Sequence, residues 1–165
     1  MPLLDEGQQA PDFELPDQRG RRRSLRSFLR KGPVVLYFYP KDETPGCTKE
    51  ACAFRDLHDR FAELGASVVG VSPQDSASKA AFAAKHDLPF VLLADELDET
   101  GQPRVCSLFG AFGERTLYGR TFLGVIRTTY LLDRRGVVVR RWTRVRVAGH
   151  AQRVLEALEQ LAAAR

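Results

Sequence analysis

Residues 33–56, PVVLYFYPKDETPGCTKEACAFRD, decide how this chain of 165 residues folds. Val34 to Tyr39 is an unbroken apolar, β-branched and aromatic run, the signature of a strand buried on both faces. Pro40 ends that strand, because it has no N–H to donate to a ladder. Thr44-Pro45-Gly46 is expected to turn the chain. From Thr48 the residues favour helix, through Lys49, Glu50, Ala51, Ala53, Phe54 and Leu57. Cys47 therefore falls where a strand has ended and a helix begins. Free N–H groups and the helix macrodipole favour negative charge there, and a thiol so placed is held partly as thiolate. Position alone makes Cys47 a candidate nucleophile.

Cys52 follows at C-x4-C spacing. A zinc site would need two further ligands at short spacing, and none is nearby, so a redox pair is the better reading. Five residues of helix rise roughly 7.5 Å and turn the two side chains to different faces. Disulfide-bonded residues have Cα atoms within about 7 Å. If both cysteines are helical, the first turns must unwind before they bond.

Working outward, Phe13–Leu15 is expected to be a short strand in an extended N-terminal entry, followed by a turn at Asp17-Gln18-Arg19-Gly20. A short strand and a helical turn are expected over Ser24 to Leu29. The helix from Thr48 is expected to reach Leu64, with Gly65 ending it. Ser67–Ser72 is a second buried strand closed by Pro73. Ser76 is a candidate cap for a helix reaching His86, and Phe90–Ala94 is a third strand. Strands alternating with helices imply parallel pairing in an α/β layer fold. After a less regular stretch with a helix near Arg104–Phe109, Thr128–Asp133 and Val137–Thr143 are expected to form a hairpin around Arg134-Arg135-Gly136. Ala151 to Ala164 carries an amphipathic helix pattern, with Val154, Leu155, Leu158 and Leu161 on one face. Periodicity supports a mixed α/β sheet in one domain, residues 1–165, and no more.

The motif itself is more specific. Pro40-x-x-x-Thr44-x-x-Cys47 resembles the PxxxTxxC signature of peroxiredoxins, and YPKDETPGCTKEACAFRD is similar to the bacterioferritin comigratory protein, or peroxiredoxin Q, subgroup. Ala10-Pro11-Asp12-Phe13 and Leu15-Pro16-Asp17 resemble that family's opening strand. Arg127-Thr128-Thr129-Tyr130-Leu131-Leu132-Asp133 resembles its arginine-bearing strand. The resemblance implies a thioredoxin-like fold, a central mixed β-sheet flanked by helices. It also implies a thiol-dependent peroxidase with no cofactor and no metal. Cys47 would attack a hydroperoxide, giving a sulfenic acid. Cys52 would resolve it as an intramolecular disulfide, and a thioredoxin-type protein reductant would recycle that bond.

Four other residues complete the expected site. The Thr44 hydroxyl, three residues before Cys47, is within reach of the thiolate or the peroxide. Pro40 would shape and shield the pocket. Arg127, chosen over Arg120 by the resemblance, would hold the thiolate and orient the peroxide. Glu50 is available to cap the helix, to orient the arginine, or to lie on a solvated helix face. Cys106 is read as core or a spare thiol, and His58, His86 and His150 as surface residues.

Composition sets the remaining bounds. Hydrophobic content of 44% and charged content of 28% are ordinary for a soluble globular chain. Three cysteines are too few and too odd for a secreted disulfide framework, and the N-terminal segment is acidic without a long apolar run. A cytoplasmic protein is expected, with no membrane span. The basic clusters at Arg19–Arg23 and from Arg134 to Arg146 are read as a solvated surface, because no nucleic-acid motif accompanies them. An internal resolving cysteine is compatible with a monomer. Two other readings remain: a thiol–disulfide oxidoreductase, against which the C-x4-C spacing counts, and a non-enzymatic binding or holdase protein on the same fold.

Overall fold

The computed structural model describes residues 2–164. In chain order the elements are β1 (Glu14–Pro16), β2 (Arg22–Ser24), α1 (Leu25–Leu29), β3 (Val34–Phe38), α2 (Pro45–Asp56), α3 (His58–Glu63), β4 (Ser67–Ser72), α4 (Ser76–His86), β5 (Val91–Ala94), α5 (Arg104–Leu108), β6 (Phe112–Leu117), β7 (Arg120–Val125), β8 (Thr128–Leu132), β9 (Val138–Thr143) and α6 (His150–Ala163). The central sheet has the order β5-β4-β3-β8-β9. β3, β4 and β5 run parallel, whereas β8 and β9 are antiparallel, so the sheet is mixed.

β3 is buried at every position. Its alternation sends Val34, Leu36 and Phe38 into one core and Val35, Tyr37 and Tyr39 into the other. The first core packs β1, α1 and α5 against the sheet through Leu15, Phe28 and Cys106. The second packs α2, α4 and α6 through Phe54, Phe82 and Val154. Cys47 and Cys106 therefore lie on opposite faces of the sheet.

Several expectations are corrected. The segment Thr44-Pro45-Gly46 is not a free turn: Thr44 is the N-cap of α2, and Pro45 opens the helix. Proline is suited to that position, because its missing N–H would have no helical partner there. The helix expected to run to Leu64 breaks at Leu57 into α2 and α3. Asp75, not Ser76, caps α4, accepting from the Ser78 amide at 2.9 Å. The hairpin β6–β7 was not foreseen. Its turn places Tyr118 (φ 52°) and Gly119 (φ 76°) both in the left-handed region, and such turns favour Asn-Gly over Tyr-Gly.

Some arginines of the two clusters are engaged in ion pairs. Arg22 meets Glu14 and Glu96, Arg23 meets Asp17, and Arg141 meets Asp5. No described helix is long and apolar enough to cross a membrane.

Gly70 of β4 sits beside Tyr37, and a Cβ there would stand 2.8 Å from Tyr37 Cζ and 2.9 Å from Leu92 Cδ2. Gly70→Ala should therefore cost about 1–3 kcal/mol by forcing the Tyr37 ring off its seat. Urea unfolding of the two proteins measures this, and an unchanged midpoint would contradict it.

Candidate active site

The site forms at the carboxyl end of β3, where the chain leaves the sheet for α2. β8 lies antiparallel beside β3, with Phe38 opposite Thr128. The residue before β8, Arg127, thus reaches the same edge of the sheet as the residues after β3. Backbone topology brings together Cys47 and Arg127 although 80 residues separate them.

Cys47 is the third residue of α2 and is 1% exposed. Arg127 Nη2 donates to Cys47 Sγ at 3.3 Å, and Nη1 donates to Glu50 Oε1 at 2.6 Å. Glu50 lies one helical turn beyond Cys47 and faces the same way. It is buried, so the solvated-face reading of Glu50 does not hold, and its contact is with the arginine. Gly46 makes room for this arrangement: a Cβ there would stand 3.1 Å from Arg127 Nη2. Burial weighs against the guanidinium charge, but Glu50 and Cys47 outweigh it and raise the Arg127 pKa.

Glu50 itself is pushed up to about 7 by burial, against the pull of Arg127. Its geometry agrees: Oε1 is paired, while Oε2 is buried and has no hydrogen-bond partner among the described residues.

Thr44 does not turn its hydroxyl to Cys47. Oγ1 donates to the Lys41 carbonyl at 2.8 Å, and the Thr44 carbonyl accepts from the Thr48 amide at 2.8 Å. Pro40, Thr44, Cys47 and Arg127 do line one groove of about 630 Å³, roofed by Phe112, Tyr118 and Phe122 of the unforeseen hairpin. Cys52 is half-buried on α2, and all three cysteines are free thiols. Both Cys47 and Cys52 are helical, which meets the condition under which bonding requires unwinding.

Cys106 is fully buried and does not line this groove; burial pushes its thiol well up, and Asp95 adds to that effect. His150 corrects the expectation of a surface residue. It is 1% exposed, with Nε2 2.8 Å from Thr129 Oγ1, and burial pushes it down to about 4. The last helix begins at His150, one residue before the expected Ala151. Counting from His150 aligns it with Val154 and Leu158 on the buried stripe. A buried lysine, Lys79, also escaped notice, because a single lysine in an alanine-rich helix carries no spacing signal.

Comparison with known proteins shows the family. The AhpC/TSA family model matches residues 6–141. The chain belongs to that family and is a peroxiredoxin. It is 39% identical to peroxiredoxin Bcp of Bacillus subtilis (strain 168) over 158 residues, 96% of this chain and 97% of that protein. It is 50% identical to the chloroplastic peroxiredoxin Q of Populus jackii over 139 residues, 82% of this chain and 58% of that one. Among solved structures it superposes on BcpB of Mycobacterium tuberculosis with a TM-score of 0.82 at 41% identity, covering 94% of this chain and 97% of that one. It superposes on the Xanthomonas campestris bacterioferritin comigratory protein, studied for its alkyl peroxide reduction, with a TM-score of 0.81 at 38% identity, covering 91% and 92%. The thioredoxin-like fold and the thiol-dependent peroxidase class implied by the motif both hold.

The Glu50 environment makes a signed prediction. Its folded pKa, about 7, lies above the ordinary 4.5, so unfolding releases a proton between those values. This group's contribution to stability is fully present below about pH 4.5 and is lost as pH rises through about 7. Glu50→Gln does not titrate, so wild-type stability measured by urea unfolding should fall relative to the variant between pH 5 and pH 8. Parallel pH curves would contradict the assignment.

Proposed function

We propose that the enzyme reduces hydrogen peroxide and organic hydroperoxides at Cys47, with Cys52 as the resolving thiol. The observation that carries this reading is the single guanidinium of Arg127 bridging Cys47 Sγ and buried Glu50 at the floor of an open groove.

The Cys47 thiolate attacks the nearer peroxide oxygen. An S–O bond forms, the O–O bond breaks, and the departing alkoxide or hydroxide takes a proton to leave as alcohol or water. Charge develops on that departing oxygen, and Arg127 supplies fixed donors beside it. The Thr44 hydroxyl proton is committed to Lys41, so its oxygen serves as an acceptor for the peroxide O–H. Pro40 walls the groove and limits water at the sulfenic acid. Unwinding of α2 then lets Cys52 attack the sulfenic sulfur, forming the disulfide and releasing water. A thioredoxin-type dithiol restores both thiols by exchange. The cycle needs no second chain, and it needs a compartment that keeps thiols reduced, which favours the cytoplasm. Against a general thiol–disulfide oxidoreductase stands the burial of Cys47, which a bulky protein disulfide cannot reach while α2 is folded.

Intact mass after one equivalent of hydrogen peroxide tests the reading on wild type, Cys52→Ser and Cys106→Ser. Wild type and Cys106→Ser should each lose two mass units, roughly the two thiol protons of a disulfide. Cys52→Ser should instead accumulate the sulfenic acid or its higher oxides on Cys47. Resolution that fails in Cys106→Ser would transfer the role to Cys106, and an unoxidised Cys47 would end the peroxidase reading. Arg127→Ala should slow peroxide reduction by at least roughly tenfold, within the range for removing a charge-stabilising donor; an unchanged rate would remove Arg127 from the site.

A further inference from the structure

A second buried polar cluster adjoins the groove, and the chemistry above makes no use of it. Lys79, in the first turns of α4, is fully buried. Its Nζ donates to both carboxylate oxygens of Asp42 at 3.2 Å, to Tyr39 Oη at 3.3 Å and to Ser72 Oγ. Asp42 also accepts from Tyr39 Oη at 2.5 Å and from Ser78 Oγ at 2.7 Å. Gln74 closes the circuit. Its Oε1 accepts from the Asp42 amide at 3.1 Å and from Ser72 Oγ at 2.8 Å, and its Nε2 donates to the Pro40 carbonyl at 3.1 Å. The end of β4, the turn after it and the start of α4 together grip the segment Pro40–Asp42, which leads directly to Thr44 and Cys47.

Outside this cluster the loop is held by the Thr44 hydroxyl on the Lys41 carbonyl and by partly exposed contacts of Glu43 with Lys85 and His86 at the other end of α4. The next residue, Glu43, is left-handed at φ 68°, a conformation that a non-glycine residue adopts at a cost and keeps only when its surroundings impose it. Stability is a poor explanation for the cluster, since a buried ion pair offsets its desolvation only barely. Fixing one geometry is the better one.

We propose that Asp42 and Lys79 are positioning residues for peroxide reduction: through their buried pair they hold the Pro40–Thr44 loop so that Thr44 and the first turn of α2 align a hydroperoxide with Cys47 Sγ. This rests on the peroxidase reading above. The grip comes from β4 and α4 and not from α2. The loop therefore stays in place when α2 unwinds to form the disulfide, and the groove is rebuilt on the same template after reduction.

Two reactions of the same thiol separate positioning from mere folding. Attack on hydrogen peroxide needs the aligned loop, whereas alkylation by iodoacetamide needs only an accessible thiolate. In Lys79→Met, oxidation of Cys47 by hydrogen peroxide should fall by roughly tenfold or more, within what a misplacement of about 1 Å costs. Alkylation of Cys47 should change by less than about threefold, because no aligned partner is lost. Gln74→Ala leaves no buried charge behind, so it decides the matter if Lys79→Met does not fold, and it should shift the same ratio in the same direction. Peroxide and alkylation rates that stay at wild-type values, or that fall together in Gln74→Ala, would overturn the proposal. A wild-type chain that reduces no hydroperoxide would remove the peroxidase reading, and the proposal with it.

Discussion

One cation governs this structure: the Arg127 guanidinium, which meets a thiol sulfur and a buried carboxylate at once. Placing a charge in a mostly buried site is costly unless it is paired and hydrogen-bonded. Here both partners come from α2, three residues apart and on one face, so the helix supplies a matched fork for the fork-shaped donor. Seating Arg127 therefore requires α2 to be folded. Forming a Cys47–Cys52 bond requires it to be unfolded. In the proposed cycle these two demands oppose each other, and Glu50, whose carboxyl burial pushes up to about 7, lies on the element that would move.

The sheet makes this meeting possible. In open α/β sheets the carboxyl ends of the parallel strands form the natural crevice. β3 and β4 end there, at Phe38 and Ser72, and antiparallel β8 begins there. Two charged pairs then share that edge with different tasks. Arg127 lines the groove and meets the Cys47 sulfur, paired with buried Glu50. Lys79 and Asp42 lie closed off beneath the loop, where every donor of the ammonium is occupied. The exposed hairpin β6–β7 lays Tyr118 and Phe122 over the opening, which gives the groove an apolar roof above a polar floor.

Much of the fold was legible because its signals are local. The β3 run, the strand–helix alternation, the closing prolines and the last amphipathic stripe all report on residues close in sequence. The errors were local as well. A proline after Thr44 suggests a turn or a helix start equally well. Asp75 and Ser76 are both good caps, and only the Ser78 contact separates them. The hairpin hid because Tyr118-Gly119 is a poor match to the usual turn pair. His150 and Lys79 were missed for another reason: a polar residue on a helix is assigned to solvent unless something across the fold is known to satisfy it.

The sequence by itself singled out the candidate nucleophile. Cys47 stands after a buried strand and at a helix start, within a motif that resembles one family closely, and Cys52 is set too far along a helix to bond without unwinding. These follow from backbone geometry over a few residues. The resemblance had already favoured Arg127; only the tertiary structure decided that its guanidinium meets the Cys47 sulfur and Glu50 together, where the Thr44 hydroxyl points, and that Lys79 is buried against Asp42. Each of these depends on pairing between segments tens of residues apart, and burial fixes which polar groups must find one another.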